Sequence, residues 1–359
     1  MNLPDHGANP LLLYKQMGME PPARIIDFSE NVHPFGPPVF LKEIWPDLQE
    51  LVSRYPDPEA EPFRSAAAKY HGVSLHQIGV GNGAAEIFTW LARRYRKKRV
   101  ALIEPAFSEY RKTLEAENVE IAAVELKEET AWKLDIAKTK RVIKGCAALY
   151  VCNPHNPTGR LVPKSDLLDL AEACRQAGCE LVADEAFVDF TGEQNSLVPE
   201  LNAHPNLIIV RSMTKMYAIP GLRLGYAMGA PSIIEALKSG AAHWNVNALS
   251  ALIGARCFEE TGYREKIIQA AREERQLMKG FFHEKGCMAT DSEVNFLSFQ
   301  LPDPQRSGQF FSDMLKAGIV LRHTNSFHGM DGRWFRIGMK STGHMKELRE
   351  AIAKWLEDN

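Results

Sequence analysis

Short apolar runs punctuate the middle of the chain: VALI at 100–103, ALYV at 148–151, ELVA at 180–183, LIIV at 207–210 and LGYAM at 224–228. They read as buried strands, since continuous apolar runs of this length suit strands covered on both faces. Between ALYV and ELVA lies SDLLDLAEACRQAG (165–178), with leucines and alanines at helical spacing, Ser165 as an N-cap and Gly178 as a stop. Strands alternating with helices predict an α/β chain with a mostly parallel sheet. Ligands of such sheets sit at the carboxyl ends of the strands, so chemistry is expected just after each apolar run.

The length of 359 residues exceeds what one core ordinarily supports, about 250–300 residues. A large domain over 51–262 and a smaller α+β domain over 263–359 are expected, the latter completed by residues 1–50. The smaller domain opens with a charged helical pattern at 263–286. An apolar segment at 295–299, a turn-rich loop SFHGMDGR (326–333), a strand-like WFRIGM and a terminal helix at 344–357 follow.

Net charge is −2, which gives no global field for nucleic acid or an anionic membrane. The basic run RRYRKKR (93–99) follows Ile87, Trp90 and Leu91 at helical spacing and reads as a solvated helix end. No apolar run approaches the ~20 residues needed to span a bilayer. The N-terminus lacks a basic-then-apolar leader, so a soluble cytoplasmic protein is expected. The cysteines at 146, 152, 174, 179, 257 and 287 lack C-x-x-C spacing and read as buried free thiols, Cys152 included; no metal is expected.

After LIIV comes RSMTKMYAIPGLRLG (211–225). Alone, Lys215 would read as a solvated surface residue. Directly after a buried strand, with Ser212 and Thr214 beside it and Arg223 eight residues on, it suits another task. A lysine kept partly neutral forms a Schiff base with an aldehyde, and hydroxyls with a guanidinium suit a phosphate. Pyridoxal 5′-phosphate carries both groups.

This segment resembles the lysine motif of the fold-type I pyridoxal-phosphate enzymes, the aspartate aminotransferase superfamily, and other segments agree in order. VCNPHNPTG (151–159) resembles N-P-x-N-P-T-G, which implies that Asn156 donates to the cofactor's phenolic oxygen and faces substrate. VADEAF (182–187) implies Asp184 against the pyridine nitrogen, where a carboxylate favours the protonated, electron-withdrawing ring. By itself, that aspartate would read as a helix N-cap. GVGNGAAE (79–86) implies Gly83 and Ala84 at the cofactor phosphate; it lacks the G-x-G-x-x-G spacing of a dinucleotide site. The resemblance further implies Phe107 (EPAFSEY) stacked on the ring and Arg336 holding the substrate α-carboxylate. It assigns Tyr55 (RYPDPE) to the phosphate of a neighbouring subunit, hence a homodimer with shared active sites. Phe187 departs from the pattern, since many relatives have tyrosine there.

Within the superfamily the chain resembles two families, the L-threonine-O-3-phosphate decarboxylases of cobalamin biosynthesis and the histidinol-phosphate aminotransferases. DHGAN (5–9), IDFSENVHPFGPP (26–38) and LRHTNSFHGMDGRWFRIGM (321–339) resemble the first, as does DEAF in place of DEAY. The resemblance implies that His6, Gly7, Asn31, Arg322 and Arg336 contact a phosphorylated amino-acid substrate. A phosphate monoester is dianionic near neutral pH and wants a guanidinium fork, an imidazole and backbone N–H groups. Without that context His6 would read as a disordered terminal residue. Ala8 stands where the family pattern has glycine and would be strained if the position requires positive φ. His33 and His155 receive no functional role. The implied activity is decarboxylation of L-threonine O-3-phosphate to (R)-1-amino-2-propanol O-2-phosphate, with an aminotransferase as the alternative. A non-catalytic pyridoxal-phosphate module is disfavoured by the presence of Lys215, Asp184, Asn156 and Arg336 together.

Overall fold

A computed structural model describes residues 3–358. Its centre is a seven-stranded sheet ordered Ile78–Gly81, Gly225–Gly229, Leu207–Ser212, Glu180–Asp184, Ala148–Cys152, Arg99–Glu104, Glu120–Glu125. Gly225–Gly229 runs antiparallel to both neighbours, and every other pairing is parallel. Successive side chains alternate between two cores. Ala101, Ile103, Leu149 and Val151 face one side, while Val100, Leu102, Ala148 and Tyr150 face the other. That two-faced burial is why these strands read as continuous apolar runs.

The helix between the runs at 148 and 180 spans Lys164–Gln176 and buries Leu167, Leu170, Ala171 and Cys174. Ser165 is not its cap. Pro163 occupies that position with φ −55, and the first turn begins two residues earlier than the serine suggests. Gly178 follows the helix with φ +66, as its stop role requires. The basic run lies at a helix end, as expected. The helix Ala84–Arg94 ends within it, but Arg94 grips Glu180 through two hydrogen bonds of 2.9 and 2.6 Å, and Arg96 pairs with Glu117. Arg93 and residues 96–99 stay exposed, so the run is a solvated helix end in which Arg94 and Arg96 also find partners. All six cysteines are buried and free.

The second lobe has an antiparallel sheet ordered Arg322–His323, Trp334–Gly338, Phe296–Gln300, Met288–Ala289. The two-residue strand Ile26–Asp27 pairs in parallel with Ile319–Val320. Leu13, Tyr14, Ile26 and Phe28 bury into this lobe's core, whereas Phe40, Leu41 and Leu48 join the large one. The 24-residue helix Thr261–Glu284 links the lobes: Ile267 and Ala271 pack in the large core, Met278 and Phe282 in the small. None of the described helices is long and apolar enough to cross a membrane.

Candidate active site

The carboxyl ends of adjacent parallel strands deliver polar residues to one cleft. Asp184 is the last residue of its strand, Ser212 the last of the next, and Lys215 follows three residues on. Phe107 follows Arg99–Glu104, and Asn156 follows Ala148–Cys152. The chain reverses direction across the sheet between those last two strands, where open α/β sheets place ligands. The cleft measures about 740 Å³ and is lined by Lys215, Asp184, Asn156, Phe107, Ala84 and Arg223, and by His6, Gly7, Asn31, Arg322 and Arg336. That volume lies within the ~300–1,000 Å³ range of small-molecule sites.

Lys215 is half-buried, and desolvation pulls its ammonium down to about 8 against the opposing charge of Asp184, with the charges of Arg223 and Arg336 adding to the effect. Its Nζ donates to Ser212 Oγ at 3.4 Å and lies 5.8 Å from the centre of the Phe187 ring. Phe187 in turn meets Phe296 edge-on at 4.9 Å. Asp184 is buried at the cleft wall, and desolvation raises its carboxyl above the ordinary range. Its Oδ1 accepts the Ala186 N–H at 2.9 Å, and its Oδ2 accepts the Tyr110 hydroxyl. At the far end, Gly83 (φ +81) opens the helix Ala84–Arg94, whose first-turn N–H groups have no intrahelical acceptor. A Cβ at Gly83 would lie 2.6 Å from Arg223 Nη2, and one at Gly225 would collide with Ala84 N. Glycines thus let the helix start, Arg223 and the strand end converge on one point.

The opposite wall comes from the smaller lobe. Arg322 and Arg336 are direct cross-strand partners, an arrangement that like charges ordinarily avoid. Burial lowers Arg336 to about 9, with Arg322 contributing, and lowers Arg322 to about 10. Arg336 donates to Asn156 Oδ1 at 2.6 Å and to the Ser29 carbonyl at 3.0 Å, while its buried Nε has no partner among the described residues. Arg322 donates to the Pro4 and Asp5 carbonyls and to Ser326 Oγ. Phe327 lies under both guanidinium groups, at 5.1 and 5.9 Å.

Those carbonyls belong to the N-terminal segment, which crosses the cleft as a strap. Ala8 N donates to Ser29 Oγ at 3.0 Å, and Asn9 caps the helix Pro10–Met17. A Cβ on Gly7 would collide with the Ser29 carbonyl, so only glycine permits this approach. His6 reaches the other lobe: its Nε2 donates to Glu109 at 2.9 Å, and its ring lies 5.5 Å from that of Phe107. Ala8 has φ +65, so the position does adopt the conformation that glycine favours.

Tyr55 lies outside the cleft, highly exposed, with its ring tilted against that of Trp244 at 4.8 Å. His155 and His33 are buried structural residues. The first bridges Thr158 Oγ1 and the Pro105 carbonyl, and the second meets the Met216 carbonyl and Tyr263 hydroxyl. Sequence reading missed Tyr110, Glu109, Ser29 and Phe327. Tyr110 and Glu109 stand in the segment that supplied Phe107, and Tyr110 is one helical turn further on.

The donor set fits pyridoxal 5′-phosphate. A half-buried lysine with a lowered pKa, a buried carboxylate, an amide and a glycine-opened helix start match its aldehyde, ring nitrogen, phenolic oxygen and phosphate. The family described as aminotransferase class I and II matches residues 23–354. A threonine-phosphate decarboxylase of Salmonella typhimurium is 30% identical over 97% of this chain and 95% of its own. A histidinol-phosphate aminotransferase of Pyrococcus furiosus is 27% identical over 92% of each. Among solved structures, a histidinol-phosphate aminotransferase of Sinorhizobium meliloti in complex with pyridoxal-5′-phosphate superposes with a TM-score of 0.87 at 20% identity. That superposition covers 98% of this chain and 95% of the other. The chain belongs to the aminotransferase class I and II family, with the fold-type I architecture and pyridoxal 5′-phosphate as its cofactor.

Proposed function

We propose that the chain decarboxylates L-threonine O-3-phosphate to (R)-1-amino-2-propanol O-2-phosphate, a step of cobalamin biosynthesis. The observation that carries this reading is the strap, which lays His6 and Gly7 across the cleft beside the opposed Arg322 and Arg336. It makes two anion-receiving regions, one for a carboxylate and one for a phosphate.

Lys215, Asp184, Asn156, Phe107, Ser212, Arg223, Gly83 and Ala84 would hold the cofactor, with Tyr55 reaching the neighbouring subunit's site in a homodimer. Bound pyridoxal phosphate supplies an electron-withdrawing ring that stores the pair left when a bond at Cα breaks. Arg336 binds the substrate carboxylate, while His6, the Gly7 backbone and Arg322 bind the phosphate, with Asn31 and Asn156 between them. Two anchors at opposite ends fix the rotation about Cα, and orientation decides which bond is in position to break. For decarboxylation the Cα–carboxylate bond breaks, carbon dioxide leaves, and Lys215 Nζ returns a proton to Cα.

The comparison with the Pyrococcus furiosus aminotransferase supports a second reading, amino transfer to a phosphorylated keto compound. Product analysis separates them. Carbon dioxide from phosphothreonine, with no glutamate-dependent amination of imidazole acetol phosphate, is the expected result; the converse sinks the first reading.

A further inference from the structure

Tyr110 does not line the cleft, yet it touches two residues that do. It lies in the helix Ser108–Ala116, almost wholly buried. Its hydroxyl donates to Asp184 Oδ2, and its ring stands edge-on to Phe107 at 5.7 Å and to Phe88 at 4.6 Å. Phe88 and Phe107 both line the cleft. Asp184 receives one further donor, the Ala186 N–H on Oδ1. Each carboxylate oxygen thus has one donor among the described residues, and the plane of the carboxylate is set by the two together.

We propose that Tyr110 is a positioning residue for the cofactor ring, orienting Asp184 through its hydroxyl and bracing Phe107 with its ring. The inference does not depend on which bond at Cα is broken. A hydrogen bond to the charged form of an acid favours that form, so the phenol opposes the burial that pushes the Asp184 carboxyl up. The other ionisable groups facing Asp184 are Lys215, whose charge works in the same direction, and the buried Cys152 thiol. An ionised, correctly turned Asp184 keeps a proton on the ring nitrogen. A positive ring lowers the proton affinity of the Lys215 nitrogen joined to the cofactor.

The neighbouring phenol of Tyr150 supplies the control. It is equally buried, its ring lies 5.8 Å from that of Tyr110, and its oxygen has no hydrogen-bond partner among the described residues. Tyr110→Phe should weaken pyridoxal phosphate binding about tenfold and move the pH titration of the bound cofactor's near-visible absorbance upward by about one unit. Tyr150→Phe, in the same full-length enzyme, should leave both within twofold and a few tenths of a unit respectively. If Tyr110→Phe does not fold, 3-fluorotyrosine at position 110 carries the test: a more acidic, nearly isosteric phenol shifts the absorbance titration downward. Equal behaviour of the two phenylalanine variants, or no shift with fluorotyrosine, overturns the proposal and leaves Tyr110 a packing residue.

Discussion

His6 ties together groups from both lobes. Its imidazole holds Glu109 on the larger one, while the carbonyls of Pro4 and Asp5, just before it, hold Arg322 and His323 on the smaller. Losing the imidazole should spare the cofactor, since His6 meets Phe107 only at a ring separation of 5.5 Å and has no hydrogen bond to Lys215, Asp184 or Asn156. His6→Ala should raise the KM for a phosphorylated substrate about tenfold, the worth of one charge-assisted hydrogen bond. The cofactor dissociation constant should be unchanged. A parallel loss of cofactor affinity, measured by absorbance titration, would count against the strap as a substrate device. At this scale the sequence was legible where a polar residue closely follows an apolar run, as Asp184 and Lys215 do. Tyr110 was not legible, because its partner is 74 positions away and the sheet brings them together.

Beneath the cleft, the strand Leu207–Ser212 and the short turns after Asp184 share a buried ionic network. Arg211, almost fully enclosed, pairs with Glu185 at 3.1 Å, Asp189 at 3.3 Å and Glu193 at 2.6 Å, and Arg264 joins from the long helix. Removing one partner of such a set leaves uncompensated buried charge, which costs about 3–5 kcal/mol. Arg211→Met should therefore lower the urea-unfolding free energy by that order, whereas a loss below about 1 kcal/mol would mark the network as energetically slack. The elements themselves were largely visible in the sequence, since period and punctuation survive folding. Their edges were not: Pro163 rather than Ser165 opens one helix, and Arg94 turns back to Glu180 instead of facing water. In both cases the outcome depends on local backbone constraint or on a partner remote in sequence.

Across the whole molecule, acid is the condition that should unfold this protein most readily. Burial lowers His33 and His155 to about 4 and His71 and His323 to about 3. Such groups bind protons in the unfolded chain but not in the native one, so their contribution is lost as pH falls below the ordinary histidine value near 6.5. By pH 5 each loses about 2 kcal/mol. His71, which meets the Tyr226 hydroxyl at 2.8 Å, offers a test. Between pH 7 and pH 5, His71→Asn should lose about 2 kcal/mol less unfolding free energy than the unsubstituted chain, measured by urea titration. An identical loss in both would show that His71 titrates normally. The mostly parallel sheet and the composition of the cleft were legible in the sequence. The route of residues 3–31 was harder to read, because it rests on the pairing of Ile26–Asp27 with a strand almost 300 residues later.

The helix Thr261–Glu284 carries a further consequence. A continuous backbone ladder of 24 residues has its two halves embedded in different cores, and bending it midway would break hydrogen bonds within a regular helix. Any opening of the cleft must then tilt this rod about its ends. Loosening either core also withdraws support from the other half of the same helix, so heat should melt the lobes in one cooperative transition.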